Sequence, residues 1–194
     1  MKIFLLLIAL FTAPLHLTAQ PQTGSVNVGV LFMFGARHDN IRMCVASPGG
    51  VKIGPVGDIM LTIRYGVRDN IAIGADVPVM RPLLFGAAFR MLQFEPQFVL
   101  DWKSPRENVD LITSLTLGPS FHYGPDYQSD NSNRSPSFFA WGPNVGIRLG
   151  VGFGESYNPR NNIVALRPFY TALFAPDYRN GRVLGGAFEY LRTF

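Results

Sequence analysis

The stretch SFFAWGPNVGIRLGVGF, Ser137 to Phe153, is two sequences interleaved. Phe139, Trp141, Val145, Ile147, Leu149, Val151 and Phe153 take alternate places, and between them stand Gly142, Asn144, Gly146, Arg148, Gly150 and Gly152. Successive side chains of an extended chain point to opposite sides, so this is a strand with one apolar face and one small, polar face. The fold depends on which solvent each face meets.

The same period of two recurs along the chain. It predicts strands over Ser25 to Ala36, Asp58 to Val67, Ile71 to Arg81, Arg90 to Lys103, Val109 to Tyr123, Ile163 to Ala175 and Val183 to Phe194, eight with the one quoted. The seventh alternates weakly, but four successive strands carry a proline between apolar residues: FEPQF, LGPSF, WGPNV and LRPFY. Matching their phase puts Leu166, Pro168 and Tyr170 on the apolar face and Arg167 on the polar one. Proline lacks the N–H that a central strand donates, so Pro78, Pro96, Pro119 and Pro143 are expected near outer strand ends or at bulges. Pro168 lies nearer mid-strand, and the sequence offers no reason for it.

Residues 1–19 read as a cleaved signal peptide, with Lys2 before an apolar run from Ile3 to Phe11 and small residues at Thr18 and Ala19. Residues 20–194 are then one domain. Removing Lys2 takes the formal charge from +4 to +3, and the basic residues form no tract, which gives no electrostatic case for nucleic-acid binding. Cys44 is the single cysteine, so no internal disulfide can form. Past the leader no run of about 18 apolar residues exists to make a transmembrane helix.

One apolar face suits a soluble barrel with that face inward or a membrane barrel with it outward, and period alone does not choose. Three features favour the second. The set holding Arg64, Asp76, Glu95, Asp101, Asp110, His122, Arg148 and Arg167 is otherwise rich in Gly, Ala and Ser, which suits a narrow lumen; Gly146 and Gly150 are expected to make room for Arg148. Phe34, Tyr65, Trp102, Tyr123, Phe139, Trp141, Phe153 and Tyr190 fall near strand ends, where interfacial girdles belong. The chain stops on a strand ending in Phe194.

That ending, GGAFEYLRTF, resembles the C-terminal insertion signal of bacterial outer-membrane barrels, with Phe188, Tyr190 and Phe194 in the pattern and Arg192 departing from it. Leader, eight strands and ending together resemble the small outer-membrane barrels of the OmpA transmembrane-domain type. The hairpin GDIMLTIRYGVRDNIAIGADVPV is also similar to hairpins of larger transporter barrels. The resemblance implies an all-β, eight-stranded antiparallel up-and-down transmembrane barrel in the outer membrane of a Gram-negative cell. It also implies outer-membrane lipid and lipopolysaccharide as surroundings, and barrel-assembly machinery engaging the last strand.

Connection lengths agree in part. With both termini inside, Arg68 to Asn70 and Ser104 to Asn108 are inner turns, and Arg37 to Gly57 and Gly124 to Pro136 are outer loops able to meet an extracellular ligand. Gly154 to Asn162 is long for an inner turn, and the outer hairpin at Leu83 to Ala88 is short and apolar.

Chemical motifs are scarce. GVGFGES lacks phosphate-loop spacing, and His16, His38 and His122 cannot form a local metal cluster, so neither cofactor nor metal is expected. Ser120 and His122 share a face at i and i+2, in the reverse of the His-x-Ser order that lipid A deacylases resemble; a hydrogen-bonded lumen pair is expected, not an enzyme. The lumen network of Arg64, Asp76, Glu95, Asp101, Asp110, Arg148, Arg167 and Glu189, with Lys103, balances acids against bases as mutual pairing requires. A plugged lumen with a structural or surface-interaction role is the expectation. A minor pore for small solutes is the alternative, and a lipid A-modifying enzyme ranks below it.

Overall fold

The computed structural model describes residues 23–39, 53–89, 92–105, 109–125, 137–154, 162–174 and 181–193; the leader, Cys44 and Phe194 lie outside them. In chain order the elements are β1 (Val26–Asp39), β2 (Ile53–Arg68), β3 (Ile71–Pro78), helix α1 (Met80–Phe89), β4 (Leu92–Phe94), β5 (Gln97–Pro105), β6 (Asp110–Pro125), β7 (Ser137–Phe153), β8 (Asn162–Leu173) and β9 (Gly181–Thr193). Strands β4 and β5 are two pieces of one stave, for both pair with β6. Each stave pairs antiparallel with its neighbours in sequence, and β1 pairs with β9 from Gly29↔Thr193 to Asp39↔Val183. The result is a closed, up-and-down barrel of eight staves. The end of the barrel at the start of β1 and the finish of β9 is termed inner, following the expected orientation, and α1 lies toward the opposite end, termed outer.

Alternation maps directly onto the wall. Phe34 is 73% exposed and Trp102 63%, whereas Arg148, between Ile147 and Leu149, is 1% exposed. Along β7 the exposed set is Trp141, Pro143, Val145, Ile147, Leu149 and Val151, and the buried set is Gly142, Asn144, Gly146, Arg148 and Gly152. Phe34, Tyr65, Trp102, Tyr123, Phe139, Trp141 and Phe153 all face outward; Tyr190 is half-buried, its hydroxyl donating to Asn162 Oδ1 at 2.7 Å. Most large apolar side chains therefore lie on the outside and most strand charges within, while a smaller apolar set that includes Leu31, Met60, Phe169 and Leu173 is buried in the interior.

Several boundaries differ from those the sequence suggests. The third strand stops at Pro78 rather than Arg81, and Leu83 to Ala88 belongs to helix α1. The fourth is interrupted at Glu95 and Pro96. The first outer connection is shorter, because β1 continues through Asp39 and β2 begins at Ile53, making Arg37 and His38 strand residues.

Each of the five prolines singled out by the sequence coincides with a break in pairing. Pro78 ends β3 and Pro96 divides the fourth stave. Pro119 and Pro143 face each other across β6 and β7, and the far neighbour of each is discontinuous there: β6 loses rungs between Phe98↔Leu117 and Phe94↔Phe121, and β7 between Asn144↔Thr171 and Trp141↔Phe174. Pro168 now has its reason. Its pairing with Gly186 of β9 is unbroken, while the β7–β8 ladder skips from Gly146↔Phe169 to Leu149↔Leu166, so the absent N–H falls where no rung exists.

Glycine makes room for Arg64 rather than for Arg148. A Cβ on Gly74 would lie 2.0 Å from the Ile63 carbonyl oxygen and 2.7 Å from Arg64 Cδ. At Gly146 and Gly150 the nearest obstacles are instead Thr116 Oγ1 and Ala165 Cβ, both 2.8 Å away.

Candidate functional site

Inward-facing positions on the strands, together with helix α1, bring two groups of charges together, one above the other. In the inner layer Arg64 of β2 lies 2.7 Å from both Asp76 of β3 and Asp101 of β5, and donates to the carbonyls of Ile63 and Ala75 at 3.1 Å. Arg148 of β7 crosses the lumen to Asp76 at 2.9 Å and to Glu189 of β9, with Asp101 at 3.9 Å. Arg167 of β8 meets Glu189 at 3.1 Å and Met33 Sδ at 3.4 Å, and its guanidinium lies 5.4 Å from the Phe169 ring centroid. Three arginines thus face three carboxylates. Burying any of these ions alone would cost several kcal/mol, and pairing with additional hydrogen bonds is what makes burial tolerable. Inward of them lie Ile112, Ile163 and Leu191, all buried.

Above this layer sits an uncharged belt: Gln97 Nε2 donates to Asn144 Oδ1 at 3.1 Å, and Asn144 Nδ2 donates to Thr171 Oγ1 at 2.6 Å. Beyond it is the outer group. Arg81 of α1 turns into the barrel, with Nε 3.2 Å from Asp58 Oδ2 and Nη1 bonded to Glu95 Oε2. Asp58 Oδ1 also accepts the backbone N–H groups of Ile59 and Arg81, both at 2.9 Å. Glu95 Oε1 accepts from Ser120 Oγ at 2.7 Å. His122 Nε2 lies 2.8 Å from that same Oγ and 3.2 Å from Glu95 Oε1. Arg37, 4% exposed, adds a second cation to this half.

Serine, histidine and glutamate in contact invite comparison with a hydrolytic triad. In a triad the acid holds the histidine Nδ1, leaving Nε2 free to take the serine proton. Here Glu95 and Ser120 both address Nε2, and Nδ1 has no hydrogen-bond partner. With the Ser120 hydroxyl donated to Glu95, Nε2 can bond that oxygen only by carrying the hydrogen itself. A nitrogen already protonated cannot serve as the base. Among the described residues no group of His, Cys, Asp and Glu has the geometry to hold a metal ion.

Of the residues the sequence singles out, Arg64, Asp76, Glu95, Asp101, Arg148, Arg167 and Glu189 are buried in the lumen and paired as described. Asp110 is half-buried at the inner tip of β6, opposite Gly152 and Pro105, away from the central layers, and Lys103 is likewise half-buried near that end. Phe188 faces outward, Tyr190 is half-buried, and Phe194 lies outside the described residues. Sequence reading leaves Arg37, Asp58 and Arg81 out of the network. Asp58 carries a visible signal in its phase with Thr62 and Arg64; Arg37 and Arg81 lie in segments that read as a loop and as the tip of a strand.

Closed wall, inverted polarity and eight staves define the class: the chain has the fold of the small eight-stranded outer-membrane barrels. The solved structure of Neisserial surface protein A (NspA) superposes with a TM-score of 0.54 at 8% identity, covering 88% of this chain and 99% of that one. Similarity extends to Ail, the attachment invasion locus protein of Yersinia pestis (TM-score 0.45, 12% identity, 88% and 99% covered). It also reaches the N-terminal barrel of Pseudomonas aeruginosa OprF (TM-score 0.40, 10% identity, 85% and 97% covered). No family model and no curated protein sequence matches the chain.

Proposed function

We propose that the protein is an integral outer-membrane barrel, its lumen closed by its own ion pairs, that acts through its outer surface rather than by catalysis or conduction. The observation that carries this reading is the inversion of the wall. Residues such as Leu61, Ile73, Leu100, Leu115, Ile147 and Leu149 form an exposed apolar surface around ionised groups, an arrangement stable only where hydrocarbon surrounds it. Outer-membrane lipid and lipopolysaccharide are the surroundings this surface fits. β9, which seals the barrel against β1, is the strand that assembly machinery would engage.

Plugging is favoured over a minor pore by the inner layer, where both carboxylate oxygens of Asp76 and of Glu189 are occupied by arginine. A permeating ion would have to displace these pairs. The strands most extended at the outer end, β1 with β2 and β6 with β7, carry the long outer connections, on which we place any extracellular partner.

The first test is membrane fractionation with gel mobility before and after boiling: the folded barrel is expected in the membrane fraction with a heat-sensitive shift. Brominated lipids should quench the fluorescence of Trp102 and Trp141, and unquenched emission defeats the membrane reading. In planar bilayers the protein should be silent. Steady ion-selective steps would establish the pore instead, and a changed lipid A mass spectrum in cells carrying the protein would establish the enzyme.

A further inference from the structure

One sector of the wall is not made of strand. β2 runs past its last rung with β3, Met60↔Pro78; Val79 donates once more to the Ile59 carbonyl, and Ile53 to Asp58 then pair with β1 alone. Across the sector β3 and β5 part after Asp76↔Gln97, and β4 pairs only with β6. Among the described residues α1 occupies the notch, packing against β2 on one side and β4 on the other. Pro78 and Pro96 stand at its lower corners and present no N–H to the unpaired edges.

Arg81 is the one charged residue of α1, and it spans the notch, holding Asp58 on the β2 edge and Glu95 at the β4–β5 break. Leu83 and Leu84 of the same helix are both more than half exposed. Behind the helix two buried acceptors, Gln93 Oε1 and His122 Nδ1, have no hydrogen-bond partner. Such groups are costly to leave unmatched.

We propose that α1 is a lateral hatch in the barrel wall, pinned shut by Arg81, that opens the outer half of the lumen sideways toward the hydrocarbon. This rests on the membrane reading above. Opening needs no ladder to unzip, because no ladder crosses the sector. The molecule such a hatch admits is an amphiphile already dissolved in the bilayer, its tail beside Leu83 and Leu84 and a hydrogen-donating head at Gln93 and His122. The inner ion-pair layer stays shut throughout, so passage is lateral and not axial.

The test places a thiol behind the hatch, S120C in a C44S background, in the full chain reconstituted into phosphatidylcholine vesicles. Labelling is followed with an acyl-chain maleimide dissolved in the bilayer and with a sulfonated, water-soluble maleimide. With Arg81 present both should be slow. R81A, and independently D58N/E95Q, should raise the acyl-maleimide rate about tenfold or more, as expected when a buried charge pair loses a partner, and the sulfonated reagent much less. Loss of a neighbouring cation by itself slows thiolate chemistry, so in R81A a rise reports access. Unchanged labelling overturns the hatch, as does an equal rise with both reagents, which means axial opening. A gel shift on boiling confirms insertion in each sample; a chain with Arg81 intact that fails to insert refutes the membrane reading instead.

Discussion

The two halves of the lumen hold charge in different ways. In the inner half every ion sits on a strand whose neighbours on both sides are strands, so the positions of Arg64, Arg148 and Arg167 are fixed by ladders independent of the ion pairs. In the outer half the central cation rides on a ten-residue helix that no ladder joins to the wall and whose ion pairs reach Asp58 and Glu95 on its two sides. Similar pairs therefore do different jobs. The inner ones satisfy a structure that would exist without them, and the outer ones create the closure they belong to.

Substitutions break or sharpen that contrast, and urea unfolding of the reconstituted protein measures them. The largest loss is expected for Arg148→Met, about 3–5 kcal/mol, because Asp76 and Glu189 are left partly unpaired in a wall that cannot move to admit water. Gly74→Ala comes next, about 1–3 kcal/mol, since its Cβ would press on the backbone of β2 as well as on Arg64. Arg81→Met should cost less than half of the Arg148 loss, about 1–2 kcal/mol, because Asp58 keeps the backbone N–H groups of residues 59 and 81 and Glu95 keeps Ser120 and His122 as hydrogen-bond partners. Equal losses at Arg81 and Arg148 would erase the distinction between the halves. Gly186→Ala, within about 0.5 kcal/mol of no effect, is the control, because a Cβ there meets nothing within 4 Å.

Most of the barrel was legible because strand period is local: the phase of Arg148 follows from Ile147 and Leu149 alone. Helix α1 was not, and the reason is specific. A helix start is usually announced by a capping residue just before it, yet here the carboxylate that accepts the Arg81 N–H is Asp58, 23 positions earlier on another element. Nothing within MRPLLFGAAF could reveal that. Pro168 was opaque for a similar reason, since its fitness depends on rungs missing from the β7–β8 ladder, a property of the neighbouring strand. The serine–histidine pair was visible from spacing, but the direction of its hydrogen bonds depends on Glu95, 25 residues before Ser120.

Seven of the eight seams join staves that follow one another along the chain; the seam of β1 with β9 joins its first strand to its last. Until that final zip is made, two raw edges remain and no partial assembly has all its amides matched, a state hydrocarbon does not tolerate. On the membrane reading proposed above, entry into the bilayer is accordingly a single concerted event, gated by the meeting of β1 and β9.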